Sequence, residues 1–94
     1  MTPALEPDIA DFAPWSEVLT DYDLDHLSVY LRLLDAETER ADWREVARLV
    51  LKRDPTTAET PARQCWESHL ARACWMTTTG YQLMLAASTR GAAT

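Results

Sequence analysis

Two amphipathic segments, each with tryptophan on its apolar face, most strongly restrict the folds available to this chain. The first repeats apolar residues at the i, i+3, i+4, i+7 and i+8 positions of one helix: Trp43, Val46, Ala47, Val50 and Leu51. The second places its expected core residues along another helix: Ala62, Trp66, Leu70 and Ala73. A short turn over residues 55–60 joins the two segments, so the pattern predicts a helix-turn-helix.

A further helix is predicted before these two segments. Thr20 and Asp23 fit the reciprocal capping pattern of a helix start, and the helix is expected to run to about Glu37. Leucines at three- and four-residue spacing form its expected core stripe, with Tyr30 and Leu33 beside it: Leu24, Leu27, Leu31 and Leu34. The chain therefore has at least three amphipathic helices that can pack together.

Capping residues also predict the ends of the two later helices. Asp42 is the expected N-cap of the second helix, and Asp54–Pro55 ends that helix because proline disfavours a helical residue before it. Thr60–Pro61 is the expected start of the third helix. Gly80 is expected to end the third helix in the left-handed conformation that glycine adopts without steric cost.

These elements predict an all-α fold, a small helical bundle that contains a helix-turn-helix and has flexible N- and C-terminal tails. We divide the chain into an acidic flexible arm (1–18), a helix-turn-helix domain (19–86) and a disordered tail (87–94). No apolar stretch approaches the roughly 18–20 residues that cross a bilayer, and the N-terminus lacks the features of a secretory signal. We therefore expect a cytoplasmic protein without membrane contact.

The residues that could carry chemistry do not form a catalytic pattern. His26 and His69 are predicted on different helices, and no glycine-rich phosphate loop is present. Cys65 and His69 have an i, i+4 spacing that can bind metal, but no second segment supplies further ligands. We therefore predict no enzymatic activity, no catalytic residue, no metal, no cofactor and no small-molecule ligand, and we expect free thiols at Cys65 and Cys74.

Charge is distributed unevenly along the chain. The net charge is −6, but residues 1–42 carry 11 acids and two bases, whereas residues 43–94 carry four acids and seven bases. Three of the acids surround the start of the first helix: Asp21, Asp23 and Asp25. Their simplest role is helix capping on a solvated face, and such a face also attracts basic proteins and repels phosphate.

The second half of the chain could still contact DNA. Its candidate nucleic-acid-binding residues lie on the second and third helices: Arg44, Arg48, Lys52 and Arg63. Glu67 stands four residues after Arg63 and can neutralise it. Because non-specific affinity depends on the number of phosphates neutralised, two to four such contacts predict weak or absent DNA binding.

Several blocks of this sequence resemble the RovC-type DNA-binding domain. This family was formerly a domain of unknown function and is common in proteobacteria and in their integrative and conjugative elements. The blocks are Leu19–Asp23, Tyr30–Ala36, Ala41–Ala47, Cys65–Ala73, and Trp75–Met76 followed by Gly80–Tyr81. Together they extend over about residues 19–85. The resemblance implies a helical helix-turn-helix domain of a transcriptional regulator.

The resemblance also suggests a function for a chain of this length. Activators of the family join the domain to another segment, whereas a stand-alone member is an antiactivator of conjugative-element transfer. That member binds transcriptional activators, namely a quorum-sensing LuxR-type regulator and an excision activator that carries a related domain. The acidic charge of the present chain suits the stand-alone class, because an acidic domain can bind the basic surfaces of activators.

Our first hypothesis is therefore a non-enzymatic antiactivator that acts by protein–protein contact. The alternative is a small DNA-binding helix-turn-helix transcription factor, and a third hypothesis is a structural or adaptor subunit. The expected partner-binding residues combine the acidic helix start with residues of the third helix that we expect to be exposed: Asp21, Asp23, Asp25, Arg63, Glu67 and Arg72.

Overall fold

The structure, a computed structural model, describes residues 8–83 and 85–86, and over these residues the chain is helical without any strand. The helices are α1 (Asp21–Asp25), α2 (Leu27–Thr38), α3 (Trp43–Leu49) and α4 (Glu59–Trp75). A π-helical turn, Met76–Gly80, follows α4, and helical backbone resumes at Tyr81. The predicted all-α fold is confirmed. Residues 1–7 and the predicted disordered tail, 87–94, lie outside the described residues.

The first predicted helix begins as expected but is divided in two. Thr20 Oγ1 accepts a hydrogen bond from the Asp23 N–H, and the Asp23 carboxylate accepts one from the Thr20 N–H, which completes the capping box. The backbone then leaves the helical conformation at His26, with φ −112° and ψ 19°. The prediction of one continuous helix to Glu37 is therefore wrong, because α1 ends at Asp25 and α2 begins at Leu27.

The predicted leucine stripe does not coincide with the buried face of α2. The residues that α2 buries are Val29, Tyr30 and Leu33. Leu24 is 50% exposed and Leu31 is 63% exposed, so the prediction is wrong for these two leucines. The helix is apolar on more than one side, and the sequence pattern did not show which side faces the core.

The second helix ends earlier than predicted, at Leu49, and its connection to α4 is longer than the expected turn. Asp42 caps α3 as predicted, with Oδ1 accepting a hydrogen bond from the Arg44 N–H. The connection to α4 comprises residues 50–58, whereas the turn of a helix-turn-helix has about three or four residues. Thr60–Pro61 is not the start of α4, because the N-cap is Ala58 and Pro61 lies in the first turn, where a missing N–H costs little. The helical bundle is shown, and the helix-turn-helix stays a prediction.

Gly80 does not have the left-handed conformation that the sequence predicted. It lies in the π-helical turn and has no positive φ. A Cβ atom at this position would lie 2.8 Å from the Met76 Sδ and 2.9 Å from the Trp75 Cζ3. Gly80 therefore permits a close approach of these side chains. Among residues 8–83 and 85–86, the residues with positive φ are Arg40 and Lys52, each with φ 58°, which follow α2 and α3.

Helix α4 is the centre of the fold, because α2 and α3 both pack against it. The main buried cluster draws residues from all these elements: Val29, Tyr30, Leu33, Val46, Leu51, Cys65, Ala73 and Met76. Ala62 and Ala73 are buried as predicted, while Trp66 and Leu70 are half-buried at the edge of the core. No helix among the described residues is long and apolar enough to cross a membrane.

Residues 8–19, here called the N-terminal segment, have little regular structure and lie against the helices. Five backbone carbonyl groups of this segment accept hydrogen bonds from buried or half-buried side chains of the helical body: Asp8, Ile9, Ala10, Ser16 and Val18. Phe12 and Trp15 are nevertheless 57% and 60% exposed. The sequence predicted a flexible arm here, and over residues 8–18 the structure places that arm against the body.

Candidate partner-binding surface

Two of the six predicted partner-binding residues form an ion pair inside the protein. Arg72 and Asp23 are both fully buried. The Arg72 Nε donates to Asp23 Oδ1 at 2.9 Å and the Arg72 Nη2 donates to Asp23 Oδ2 at 2.5 Å, which is a bidentate arrangement. The prediction that these two side chains are exposed is wrong, because tertiary packing turns the start of α1 toward α4.

The remaining partners of Arg72 come from the N-terminal segment and from aromatic rings. Its Nη1 donates to the Ser16 carbonyl, and its Nη2 also donates to the Val18 carbonyl. The guanidinium carbon lies 3.7 Å from the centre of the Trp75 ring and 5.1 Å from that of Trp15. Arg72 thus joins α4 to the N-terminal segment. This role of Arg72 could not be predicted from the sequence, because the carbonyl partners leave no signal in residue type.

The Asp23 carboxylate remains ionised in this buried position. Burial opposes the charged form, but hydrogen bonds from Arg72, the Thr20 N–H and the Tyr30 hydroxyl outweigh burial and lower the pKa of Asp23 to about 2. Burial and the bond to Asp23 raise the pKa of Tyr30, so its hydroxyl stays protonated and donates at 2.9 Å. The pair is therefore a structural junction and offers no charge to a partner.

A second buried polar group connects α1 to α4. The Ala10 N–H donates to the Tyr22 hydroxyl, which lies 2.6 Å from His69 Nε2, while His69 Nδ1 lies 2.8 Å from the Cys65 carbonyl. Burial lowers the pKa of His69 and raises that of Tyr22. A neutral His69 that donates from Nδ1 and accepts at Nε2 satisfies all these contacts.

Cys65 and His69, the i, i+4 pair considered for metal binding, both belong to this hydrogen-bonded group. The Cys65 thiol lies 3.7 Å from His69 Nδ1, and the same thiol donates to the Ala10 carbonyl at 3.5 Å. Cys65 is buried and Cys74 is exposed, and both are free thiols. Among residues 8–83 and 85–86, no three His, Cys, Asp or Glu side chains are close enough to hold a metal ion.

The other four predicted partner-binding residues are on the surface. Asp21 and Asp25 are exposed on α1, and Arg63 and Glu67 are exposed on α4. The Arg63 Nε and the Glu67 Oε1 are 3.2 Å apart, which confirms the expected neutralising pair. Four of the six predicted residues are therefore accessible to a partner, whereas Asp23 and Arg72 are not.

The four candidate nucleic-acid-binding residues are all exposed, but several have partners within the protein: Arg44, Arg48, Lys52 and Arg63. The guanidinium of Arg63 lies 5.0 Å from the ring centres of both Trp43 and Trp66. Arg44 lies 5.1 Å from the Trp43 ring and 3.8 Å from the Asp42 carboxylate. Lys52 donates to the Leu49 carbonyl. On this surface the guanidinium groups of Arg44 and Arg63 therefore lie against the rings of Trp43 and Trp66.

The exposed charges differ from the charges counted along the sequence. Among residues 8–42, every acid except Asp23 is exposed. Among residues 43–83, Arg72 is buried, and the half-buried Arg53 binds the Ile9 carbonyl and the Asp11 carboxylate. The four other bases among residues 43–83 are equalled in number by four exposed acids: Glu45, Asp54, Glu59 and Glu67. Two bases of residues 43–83, Arg53 and Arg72, thus bind groups within the protein, and the surface of the described residues is acidic or balanced.

Comparisons with other proteins add no assignment. The chain matches no model of a protein family, and no curated protein matches it.

Proposed function

We propose that this chain is a non-enzymatic antiactivator that binds transcriptional activators and represses transfer of a conjugative element. The proposed partners are a quorum-sensing LuxR-type regulator, an excision activator with a related domain, or both. In this proposal α3, the connection 50–58 and α4 correspond to a helix-turn-helix that has lost most of its DNA affinity. The resemblance to RovC-type domains supplies the class of partner, and the protein would act in the cytoplasm.

One structural observation supports a protein partner over DNA more than any other. Among residues 43–83 the bases exceed the acids by two, and two of these bases, Arg72 and Arg53, bind groups within the protein. Affinity for DNA rises with the number of phosphates that a protein neutralises, so the loss of these two cations weakens it. The exposed acids of α1 and α2 further repel phosphate and attract a basic protein surface.

The second candidate function is a small DNA-binding transcription factor of the same fold. The exposed bases of α3 and α4 favour it, and the stacking of Arg63 on Trp43 and Trp66 holds one of them on the surface. Fluorescence anisotropy of a labelled DNA duplex separates the two candidates. A DNA-binding protein would bind at about 50 mM salt and lose affinity steeply by about 200 mM, whereas an antiactivator would show little binding at either concentration.

The antiactivator proposal is tested by measuring binding of the full chain to purified LuxR-type regulators and related-domain activators encoded in the same genome. Replacing Asp21 and Asp25 together by lysine should weaken binding about tenfold, because two acids become repulsive to a basic surface. The matched control replaces Glu45 and Glu59 by lysine. That change also reverses two exposed acids, one in the first turn of α3 and one in the first turn of α4, and it should leave affinity within about twofold.

Two outcomes would contradict this proposal. One is salt-sensitive DNA binding together with no binding to any activator, which would establish the DNA-binding alternative. The other is an equal loss of activator affinity in the two charge-reversed variants. In that case net charge alone governs association, and the acidic surface of α1 has no specific role.

A further inference from the structure

An open apolar groove lies between α2 and the end of α4, apart from the charged surfaces described above. Its volume is about 440 Å³, and its main lining residues are Leu27, Leu31 and Leu34 on one wall and Met76 and Tyr81 on the other. Leu31 is 63% exposed and Tyr81 is 54% exposed. Tyr30 also lines the groove, but its hydroxyl is bonded to Asp23. The groove therefore presents large apolar side chains to water and offers few hydrogen-bonding groups.

The dimensions of the groove suit one face of a helix. Leu27 and Leu34 are seven residues apart on α2, which corresponds to about 10.5 Å along its axis. Apolar side chains at i, i+3 or i+4, and i+7 of a docked helix extend over the same length. A small molecule would stay solvated on its open side, because both walls are themselves exposed. A helix would cover the walls as well as the groove.

The charges beside the groove indicate which charges a docked helix should carry at its flanks. On α2, the exposed Asp35 stands four residues after Leu31 and the exposed Glu37 stands three residues after Leu34, so both acids neighbour groove-lining leucines, and they are here called the acidic edge. The opposite wall, residues 76–83, has no charged residue. A second copy of this chain would bring two acidic edges together, and the net charge of −6 adds to that repulsion. A helix with basic flanks would instead gain from the acidic edge.

We propose that this groove binds an amphipathic, lysine- or arginine-flanked helix of a protein partner. The apolar residues of that helix pack between α2 and the π-helical turn, and its basic residues lie along the acidic edge of α2. The assignment of this helix to a transcriptional activator rests on the proposed function, whereas the groove and its charges do not. The proposed partner-binding surface thereby includes Leu31 and Tyr81, which the sequence did not predict.

The probe for this proposal is a labelled synthetic peptide of leucine and lysine only, with leucines at i, i+3, i+4 and i+7. The reference peptide has the same composition in scrambled order, so it keeps the charge but has no continuous apolar face. Fluorescence anisotropy with the full chain should show that the amphipathic peptide binds at least about tenfold more tightly than the scrambled one. Equal binding of the two peptides would overturn the proposal, because it would reflect charge attraction alone.

The groove is tested directly with two matched leucine variants. Leu31→Ser changes a groove residue that is 63% exposed, and Leu49→Ser changes a residue of α3 that is 69% exposed. Both side chains lie mostly in water, so neither change should unfold the domain. Leu31→Ser should weaken binding of the amphipathic peptide about tenfold, whereas Leu49→Ser should leave it unchanged. An equal effect of the two variants would overturn the proposal.

Sedimentation of the full chain and the activator assay distinguish the remaining possibilities. Self-association that Leu31→Ser abolishes would overturn the proposal, since a second copy would then occupy the groove. Activator binding that Leu31→Ser leaves intact would overturn the assignment of the docked helix to an activator, while the antiactivator function would stand. If no activator binds but the peptide results hold, the proposed function fails and the groove remains a receptor for a basic amphipathic helix.

Discussion

The two arginine–acid pairs of α4 show how differently the same chemistry is used within one helix. Arg72 binds Asp23 of α1 in a fully buried, bidentate pair, while Arg63 binds Glu67 of its own helix on the surface. From the sequence, both arginines were equal candidates for binding a partner. The structure makes one of them a junction between elements and leaves the other as a stacked surface cation.

The difference between the pairs follows from the range of the contact. Arg63 and Glu67 are four residues apart on one helix, so their pairing needs only local helix geometry. Arg72 and Asp23 are 49 residues apart, and their contact forms only when α1, α4 and the N-terminal segment come together. A local pair can form without the fold, whereas the buried pair is part of the fold.

The largest expected effect comes from breaking the buried pair. Asp23→Ala leaves the Arg72 charge inside the protein without its carboxylate, and we expect a loss of about 3–5 kcal/mol in the free energy of unfolding. Asp23→Ala combined with Arg72→Met should be less destabilised than Asp23→Ala alone, because no buried charge is left unpaired. Urea unfolding followed by tryptophan fluorescence measures both. A double variant less stable than Asp23→Ala would show that the contacts of Arg72 with the Ser16 and Val18 carbonyls outweigh the cost of its unpaired charge.

A smaller effect is expected when acid protonates Asp23. The pKa of Asp23 is lowered from its ordinary value of 3.8 to about 2, so the folded state favours the carboxylate. This contribution is fully present above pH 3.8 and is lost as the pH falls through about 2, and it amounts to about 2 kcal/mol. Urea unfolding at several pH values in this window measures the loss.

The double variant without Asp23 and Arg72 is the control for this pH dependence. It should lose about 2 kcal/mol less than the unmodified chain over the same pH range, since the carboxylate that responds is absent. Identical pH dependence in the two proteins would mean that other carboxylates cause the acid sensitivity.

The smallest effect is expected at the exposed pair. Glu67→Ala should change the free energy of unfolding by less than about 0.5 kcal/mol, because water and salt screen an exposed pair of this kind. Arg63→Ala should cost about 1 kcal/mol, since it also removes the packing of the guanidinium on Trp43 and Trp66. Unfolding at low and at high salt tests this difference. A Glu67→Ala loss comparable with that of Asp23→Ala would remove the distinction between the two pairs.

The sequence predicted the fold best where structure is locally determined. The N-caps Thr20 and Asp42 were identified correctly, because each cap contacts backbone two or three residues away. The break at His26 was missed, since the tertiary contact of the His26 ring with the Asp8 carbonyl has no local signal. The same limit explains why Gly80 was assigned a left-handed turn, although its small size serves the packing of Trp75 and Met76.

The candidate surface was predicted less well than the fold. Residue type identified Asp23 and Arg72 as charged, but only the packing of α1 on α4 shows that their charges meet inside the protein. The groove was not predicted, because the leucines of α2 were all assigned to the core, although Leu31 is exposed. A helix with apolar residues on more than one side needs more than one neighbour to cover them. The number of apolar residues on α2 was therefore the available sequence signal for a second contact surface.

The attachment of the N-terminal segment has a consequence for how this chain tolerates mutation. Five carbonyl groups hold the segment, and every amino acid carries a carbonyl group. Its outward side chains, such as Phe12, Glu17 and Val18, can therefore be exchanged without removing a single anchor. The side chains that bind these carbonyl groups lie outside the segment, at His26, Arg53, Cys65 and Arg72. A scan of all substitutions would thus record the carbonyl contacts at these four donor positions, and within the segment it would respond mainly at side chains with contacts of their own, such as Asp11 and Trp15.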